Sequence, residues 1–406
     1  MLQTDPQSIK SASNDYGNLV QENPFAVLYP SSIQDIINLI QFSNNCSTPF
    51  TVSARGRGHS VRGQAMARGG VVVDMAALSE NINGNGIRVS WSPSIGYYAD
   101  VGGEQMWIDV LRAGLEHGLS PVSWTDYLYL SVGGTLSNAG ISGQSFLYGP
   151  QISNAKWVRL LYSDFSMFTR DQEHLISIDI NGPNYVEGSL ITDHSPPNNW
   201  RSSFYSPSDQ SKIHSLLQSK QGLLYSIEVV KYYDHHNTDT IDQAHLNFIP
   251  GFVFKKDVPL LDFLNRVGSR ENQNSEDQLE AHPWLNLFVP KSQIMDFNDG
   301  VFVNMIRRHN HTSGPILFYP FHRQKWDDRM SAVIPDEEIF YTLGLLPSRV
   351  RGRTVVAERT KRCKAVRART LDNDRNCMRA QVCADAHGDK FERDKFGGEI
   401  MWHLLA

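Results

Sequence analysis

Cysteine is scarce in this chain of 406 residues: there are four, and Cys46 is the only one before residue 347. A lone thiol builds no disulfide framework. Cys363, Cys377 and Cys383 contain no C-x-x-C pair, so no zinc site is expected from them. Long apolar runs are also missing, and nothing approaches the roughly 18 uninterrupted apolar residues of a membrane helix. The opening residues, Met1-Leu2-Gln3-Thr4-Asp5-Pro6, hold no basic patch followed by an apolar segment, so no signal peptide is expected. The compartment stays open between the cytosol and, were the start truncated, secretion. No P-loop and no Rossmann fingerprint occur. With 40% apolar and 20% charged residues the composition excludes wholesale disorder, and a core of ordinary size can form without cross-links.

The net charge of −5 conceals two unlike parts. From Pro347 to Ala406 there are 14 Lys and Arg against 8 Asp and Glu, leaving 24 basic and 35 acidic residues before that point. The acidic body predicts no nucleic-acid partner. Along it, Ser32-Ile33-Gln34-Asp35 reads as a helix start with Ile33, Ile36, Ile37 and Ile40 on one face. Strands are expected near 49–54, 71–75, 87–91 and 97–101, followed by a helix from Glu104 to His117 closed by Gly118. Further strands are expected near 157–162, 223–233 and 316–319. The pattern predicts an α+β fold rather than a regular βαβ repeat, with a first domain over 1–157, a second over 158–346 and an atypical basic tail over 347–406.

Two glycine-rich loops stand out. Ala54-Arg55-Gly56-Arg57-Gly58-His59-Ser60-Val61-Arg62-Gly63-Gln64 lets backbone N–H groups turn toward an anion, with His59 at its centre. The plainer alternative is a tight turn with a solvated histidine. Ser131 to Gly143 interleaves four glycines with hydroxyls, which suits close approach to a phosphate or a flat ligand. Just before it, Asp126 in Trp124-Thr125-Asp126-Tyr127 is a candidate base or, equally simply, a helix cap. Asp234-His235-His236 with Asp239 has metal-binding residue types, but neighbouring histidines on a strand face opposite ways, so no metal site is expected.

These two loops, together with His282-Pro283-Trp284-Leu285-Asn286 and Trp326-Asp327-Asp328-Arg329-Met330-Ser331, closely resemble the plant cytokinin dehydrogenases, over about residues 5–346. The resemblance implies a two-domain flavoprotein of the vanillyl-alcohol-oxidase type, with an FAD-binding domain and a substrate domain. It implies FAD held covalently by His59, lined by Ala54, Gly56, Arg57, Gly58, Ser60, Gln64, Asp126, Ser131, Ser137 and Ile141. It implies oxidation of N6-isoprenoid adenines such as isopentenyladenine and zeatin to adenine and an unsaturated aldehyde, with Asp126 and Glu187 as catalytic carboxylates. Asp126, Glu271, Trp284 and Asn286 would form the substrate pocket. The implied acceptor is oxygen or a quinone, and a monomer is expected with no membrane partner.

Two departures accompany the resemblance. Where the family inserts further strands and a glycine-rich stretch, Asn154 runs through Ala155 straight into Lys156. Beyond Leu346 the family's closing segment, including a P-G-Q sequence, is replaced by the arginine-rich tail. An alternative expectation is therefore an altered gene product that does not hold FAD, or binds purines without turnover.

Overall fold

A computed structural model describes residues 1–78, 86–93, 96–121, 124–137, 140–148, 155–179, 182–232, 245–267, 282, 284–307, 314–326 and 334–346. The N-terminal part is built on a small sheet in the order β1-β2-β4-β3. Its strands are β1 (Leu2–Gln3), β2 (Ala26–Leu28), β3 (Val52–Arg55) and β4 (Val71–Asp74). Both β2 and β3 run parallel to β4, so helix α2 (Ile33–Asn45), which follows α1 (Pro6–Ala12), makes one βαβ crossover that the α+β reading did not anticipate. The crossover is single, not a repeat.

Ser32 and Asp35 form the capping box that starts α2, as the sequence suggests. The buried face is different from the expected one. Ile36 and Leu39 pack on Ala26, Leu28, Val71 and Val73, whereas Ile33, Ile37 and Ile40 are 57%, 40% and 42% exposed. A four-stranded sheet is narrow, and it covers only one seam of the helix.

A hairpin follows, β5 (Ile87–Ser92) against β6 (Gly96–Val101), in which Trp91 lies opposite Tyr97. The next helix runs Trp107–Leu115, three residues later than the expected start at Glu104. Its lead-in backbone is engaged elsewhere: the Val132 N–H donates to the Gln105 carbonyl and Met106 bridges Ser131. Gly118, at φ +67°, ends it as expected.

The second part is one antiparallel sheet of seven strands in the order β10-β7-β9-β8-β12-β13-β11. The strands are β7 (Ala155–Tyr162), β8 (Tyr185–Ile191), β9 (Leu224–Lys231), β10 (Val253–Val258), β11 (Leu285–Pro290), β12 (Ile316–His322) and β13 (Ile339–Leu345). One face packs on the helix Phe165–Ile176 through Phe165, Phe168, Leu175 and Ile176, which join Ile227, Val229 and Phe318 in the largest core. β12 continues through Pro320, which the sequence reading treats as its boundary. Proline is tolerated there because β12 pairs with β8 only at Ile316 and Leu317, so no neighbour on that side requires the missing N–H.

Candidate active site

The centre of the site follows from strand register. Across three neighbouring strands Glu187 of β8 faces Glu228 of β9, and Glu228 faces Arg159 of β7. Two carboxylates directly opposite each other inside a sheet repel unless cations intervene. Three arginines do so. Arg159 Nη2 pairs with Glu228 at 2.5 Å and also reaches Ser202 Oγ at 3.0 Å. Arg201 binds Glu187 through both terminal nitrogens, at 2.5 and 2.7 Å, and Arg266 Nε lies 3.6 Å from Glu228.

Asp126 enters this cluster from the loop ahead of the second glycine-rich segment. Its carboxylate accepts Arg201 Nη2 at 2.6 Å and Arg266 Nη2 at 3.3 Å, and at 19% exposure it is the most open acid of the group. It is not a helix cap. Tyr185, two residues before Glu187 and therefore on the same face of β8, donates its hydroxyl to Glu187 Oε2 at 2.9 Å and lies 3.3 Å from Asp126 Oδ1. Arg266 donates to the same phenol oxygen at 2.7 Å.

Charge states follow from burial and partners. Burial pushes the Glu187 carboxyl up; Arg201 opposes this, and Asp126 and Glu228 add to it. Burial would raise Glu228 as well, but Arg159, Arg266 and Arg201 outweigh it and hold Glu228 below its usual range. Burial works against charge on Arg201, yet Asp126 and Glu187 hold it firmly protonated.

Arg201 is presented by a tight turn in which Asn199 and Ser202 exchange backbone hydrogen bonds and Asn199 Oδ1 accepts the Arg201 N–H. The adjoining residue, Trp200, stacks on Trp284 with ring centroids 5.7 Å apart and planes within 3°. One turn thus touches both the acid cluster and an aromatic slot.

The first glycine-rich loop lies beside this slot. His59 stacks on Tyr16 at 3.9 Å, Tyr16 stacks on His282 at 4.1 Å, and His59 also packs on Tyr127, at 4.8 Å. The segment carrying Tyr16 is tied down at several points. Asp15 accepts Ser60 Oγ at 3.0 Å and the Gly63 N–H at 2.5 Å, and the Tyr16 and Gly17 N–H groups donate to the Gly58 and Ser60 carbonyls. Burial, then the charges of His282 and Arg57, lowers the His59 imidazole to about 3, so the ring is neutral.

A flavin nucleotide fits what is left open. His59 Nε2 and Arg55 Nη1 are buried without a hydrogen-bond partner among the described residues. The two glycine loops touch where side chains would not fit: a Cβ on Gly56 would lie 2.1 Å from Ser131 Oγ. His59 supplies a nucleophilic nitrogen and Arg55 a cation beside the turn at Gly58.

Several expected residues therefore meet. Asp126 and Glu187 share Arg201, and Gly56, Gly58, His59 and Ser60 form one loop against Ser131. Ile141 and Trp284 pack in one aromatic cluster with Trp200. Ala54, Arg57, Gln64 and Ser137 are exposed, with Ser137 Oγ turned back to the Gly133 carbonyl. Asn286 is exposed on β11 opposite Gly344. Glu271, the 234–239 cluster, Asp327 and Asp328 lie outside the described residues. Sequence reasoning missed Arg201, Arg266, Tyr185, Asp15 and Tyr16. The one available signal was Arg201 as the single charged residue, beside Trp200, in the stretch Ser195 to Ser208.

A family model described as "Cytokinin dehydrogenase 1, FAD and cytokinin binding" matches residues 152–386, and an "FAD binding domain" model matches residues 24–168. Cytokinin dehydrogenase 3 of Arabidopsis thaliana is 45% identical, with 86% of this chain and 76% of that protein covered. The chain belongs to the cytokinin dehydrogenase family. Cytokinin dehydrogenase 5 of Oryza sativa subsp. japonica is 42% identical over 88% of this chain and 78% of its own length. The alignment with the Arabidopsis cytokinin dehydrogenase 3 runs over 406 positions while using 86% of this chain, so the relative carries residues with no counterpart here.

Among solved structures, 6-hydroxy-D-nicotine oxidase from Arthrobacter nicotinovorans superposes with a TM-score of 0.57 at 12% identity, covering 91% of this chain and 85% of that one. Physcomitrella patens BBE-like 1 gives 0.57 at 10%, covering 90% and 86%. At such identities the likeness establishes the fold, that of the vanillyl-alcohol-oxidase-type flavoproteins, and nothing finer.

Proposed function

We propose that this cytokinin dehydrogenase family member holds FAD covalently through His59. We further propose that it oxidises the N6 side chain of isoprenoid cytokinins such as isopentenyladenine and zeatin. The products are adenine and an unsaturated aldehyde, the cytokinin is thereby catabolised, and oxygen or a quinone takes the electrons onward. The observation that carries this reading is the position of Asp126. It is the open carboxylate of a buried acid–arginine cluster, and its neighbour Tyr127 packs on His59. Bound FAD supplies the two-electron acceptor.

The chain's own residues supply the rest. Arg201 and Arg266 hold the Asp126 carboxylate oriented to accept the N–H proton as the C–N bond is oxidised. Trp284 and Trp200 form a flat stacked wall, and both indole N–H groups are buried with no partner among the described residues. A purine offers ring nitrogens as acceptors and a π-face for such a wall. Asn286 and Glu271 are the proposed polar contacts to the purine and its side chain. We propose a monomer in solution.

A second reading is that the chain no longer retains FAD. Two observations favour it: relatives carry residues that this chain omits, and Trp91 and Tyr97 of the β5–β6 hairpin are 59% and 65% exposed. The deciding experiment is expression of this chain, acid denaturation, washing and flavin absorption. Retained absorption that disappears in His59→Ala establishes the covalent site. A colourless soluble protein establishes the second reading.

A further inference from the structure

We propose that the Tyr185 hydroxyl is a proton relay, carrying the proton that Asp126 takes from the substrate nitrogen to Glu187 and from there into the polar cleft that Glu187 lines. The proposal rests on the oxidation reading above.

Three observations carry it. Tyr185 is the hydroxyl common to both carboxylates, 2.9 Å from Glu187 Oε2 and 3.3 Å from Asp126 Oδ1. A phenol has one proton and two lone pairs. The hydroxyl's one proton is within donating reach of Glu187 and of Asp126, and one lone pair takes Arg266 Nη2 at 2.7 Å; with the proton on the nearer Glu187, the second lone pair is left for Asp126. When Asp126 gains a proton, its new O–H donates to that lone pair. The proton then crosses from Asp126 to the phenol oxygen as the phenol's own proton crosses to Glu187, and Tyr185 ends neutral as it began.

The third observation is where Glu187 leads. It lines a cleft with Arg159, Ser195, Asn199, Ser202 and Glu228, and neither Asp126 nor Tyr185 borders that space. Asp126 is therefore joined to the cleft by two routes, through Tyr185 to Glu187 and through Arg201, which binds Asp126 and lines the cleft itself. Arginine keeps its protons, so the hydroxyl is the route for transfer. The groups facing the relay are Asp126, Glu187, Arg201, Arg266, Glu228 and Tyr319. Burial disposes Glu187 to hold a proton, as a receiver must.

Tyr185→Phe tests this, since the ring keeps its edge-to-face packing on Phe263 at 5.4 Å. In rapid mixing with isopentenyladenine the first flavin reduction stays within about threefold of the parent, because Asp126 still accepts one proton. Repeated turnover falls roughly 10- to 100-fold, the usual range for losing a proton-transfer group. Small buffers such as imidazole restore it by collecting the proton from the open face of Asp126. Unchanged turnover, or equal loss in both phases with no buffer rescue, overturns the relay.

Infrared titration of carboxyl bands in the substrate-free protein gives a second readout. With Glu187 assigned through Glu187→Gln, its midpoint moves by about half a pH unit or more in Tyr185→Phe. An unmoved midpoint overturns the relay. A parent chain whose flavin is never reduced by isopentenyladenine refutes the oxidation reading instead, and the titration still decides whether Tyr185 links the two acids.

Discussion

At the scale of single residues, Asp126 and His59 differ in how their environments set them up. Asp126 is gripped by two guanidinium groups and remains partly open, the combination a base needs. Asp126→Asn is expected to retain its flavin and to slow flavin reduction by isopentenyladenine by roughly 10²–10⁴-fold, followed by absorbance in rapid mixing. Reduction at the parent rate would remove Asp126 from that role. His59 is held neutral, lowered from 6.5 to about 3. Below pH 6.5 the unfolded chain binds a proton that folded His59 does not, so this residue makes stability fall as the pH drops toward 3, and have no effect above 6.5. The flavin-free His59→Gln variant lacks that penalty. Its urea midpoint relative to the flavin-free parent chain is therefore expected to be higher at pH 5.0 than at pH 7.5. His59 was legible in the sequence because its loop is contiguous, glycine by glycine. Arg201 and Arg266 were not, since they reach Asp126 from 75 and 140 residues away.

Among the elements, local patterning located β3, β4, β5, β6, β7, β9 and β12, where alternation and β-branched runs are written within a few residues, and did not single out β1, β2, β8, β10, β11 or β13. The face that α2 buries was misjudged, since that depends on how wide a sheet lies beneath it. Pairing between β8 and β12 was beyond reach for the same reason: it spans only Ser189–Leu190 against Ile316–Leu317. Past those pairs the Gln172 amide donates to the Phe318 carbonyl at 3.0 Å, a side chain standing in for a ladder bond. Gly188 makes room for it, as an added Cβ would sit 2.0 Å from Gln172 Nε2 and 2.1 Å from the Phe318 oxygen. Gly188→Ala is expected to cost about 1–3 kcal/mol in chemical unfolding, and an unchanged midpoint would show that the sheet accommodates the methyl freely.

Across the whole molecule, the acid cluster is assembled from β7, β8 and β9, the loop at Asp126, the turn at Arg201 and the segment after the helix Leu260–Leu264. The helices and loops that deliver these groups come from both parts of the chain, so the composition of the site follows from tertiary assembly and no window of sequence contains it. Stretches of one chain that need a common geometry were visible; groups that meet only after assembly were not. The turn Asn199–Ser202 shows what that economy implies. Trp200 faces the proposed purine slot and Arg201 grips both carboxylates, with a single peptide bond between them. Substrate preference and acidity are thereby inherited together. A lineage that reshapes the slot at Trp200 to admit a bulkier side chain also nudges the guanidinium next door, and new specificities in this branch should arise with altered pH optima rather than independently of them.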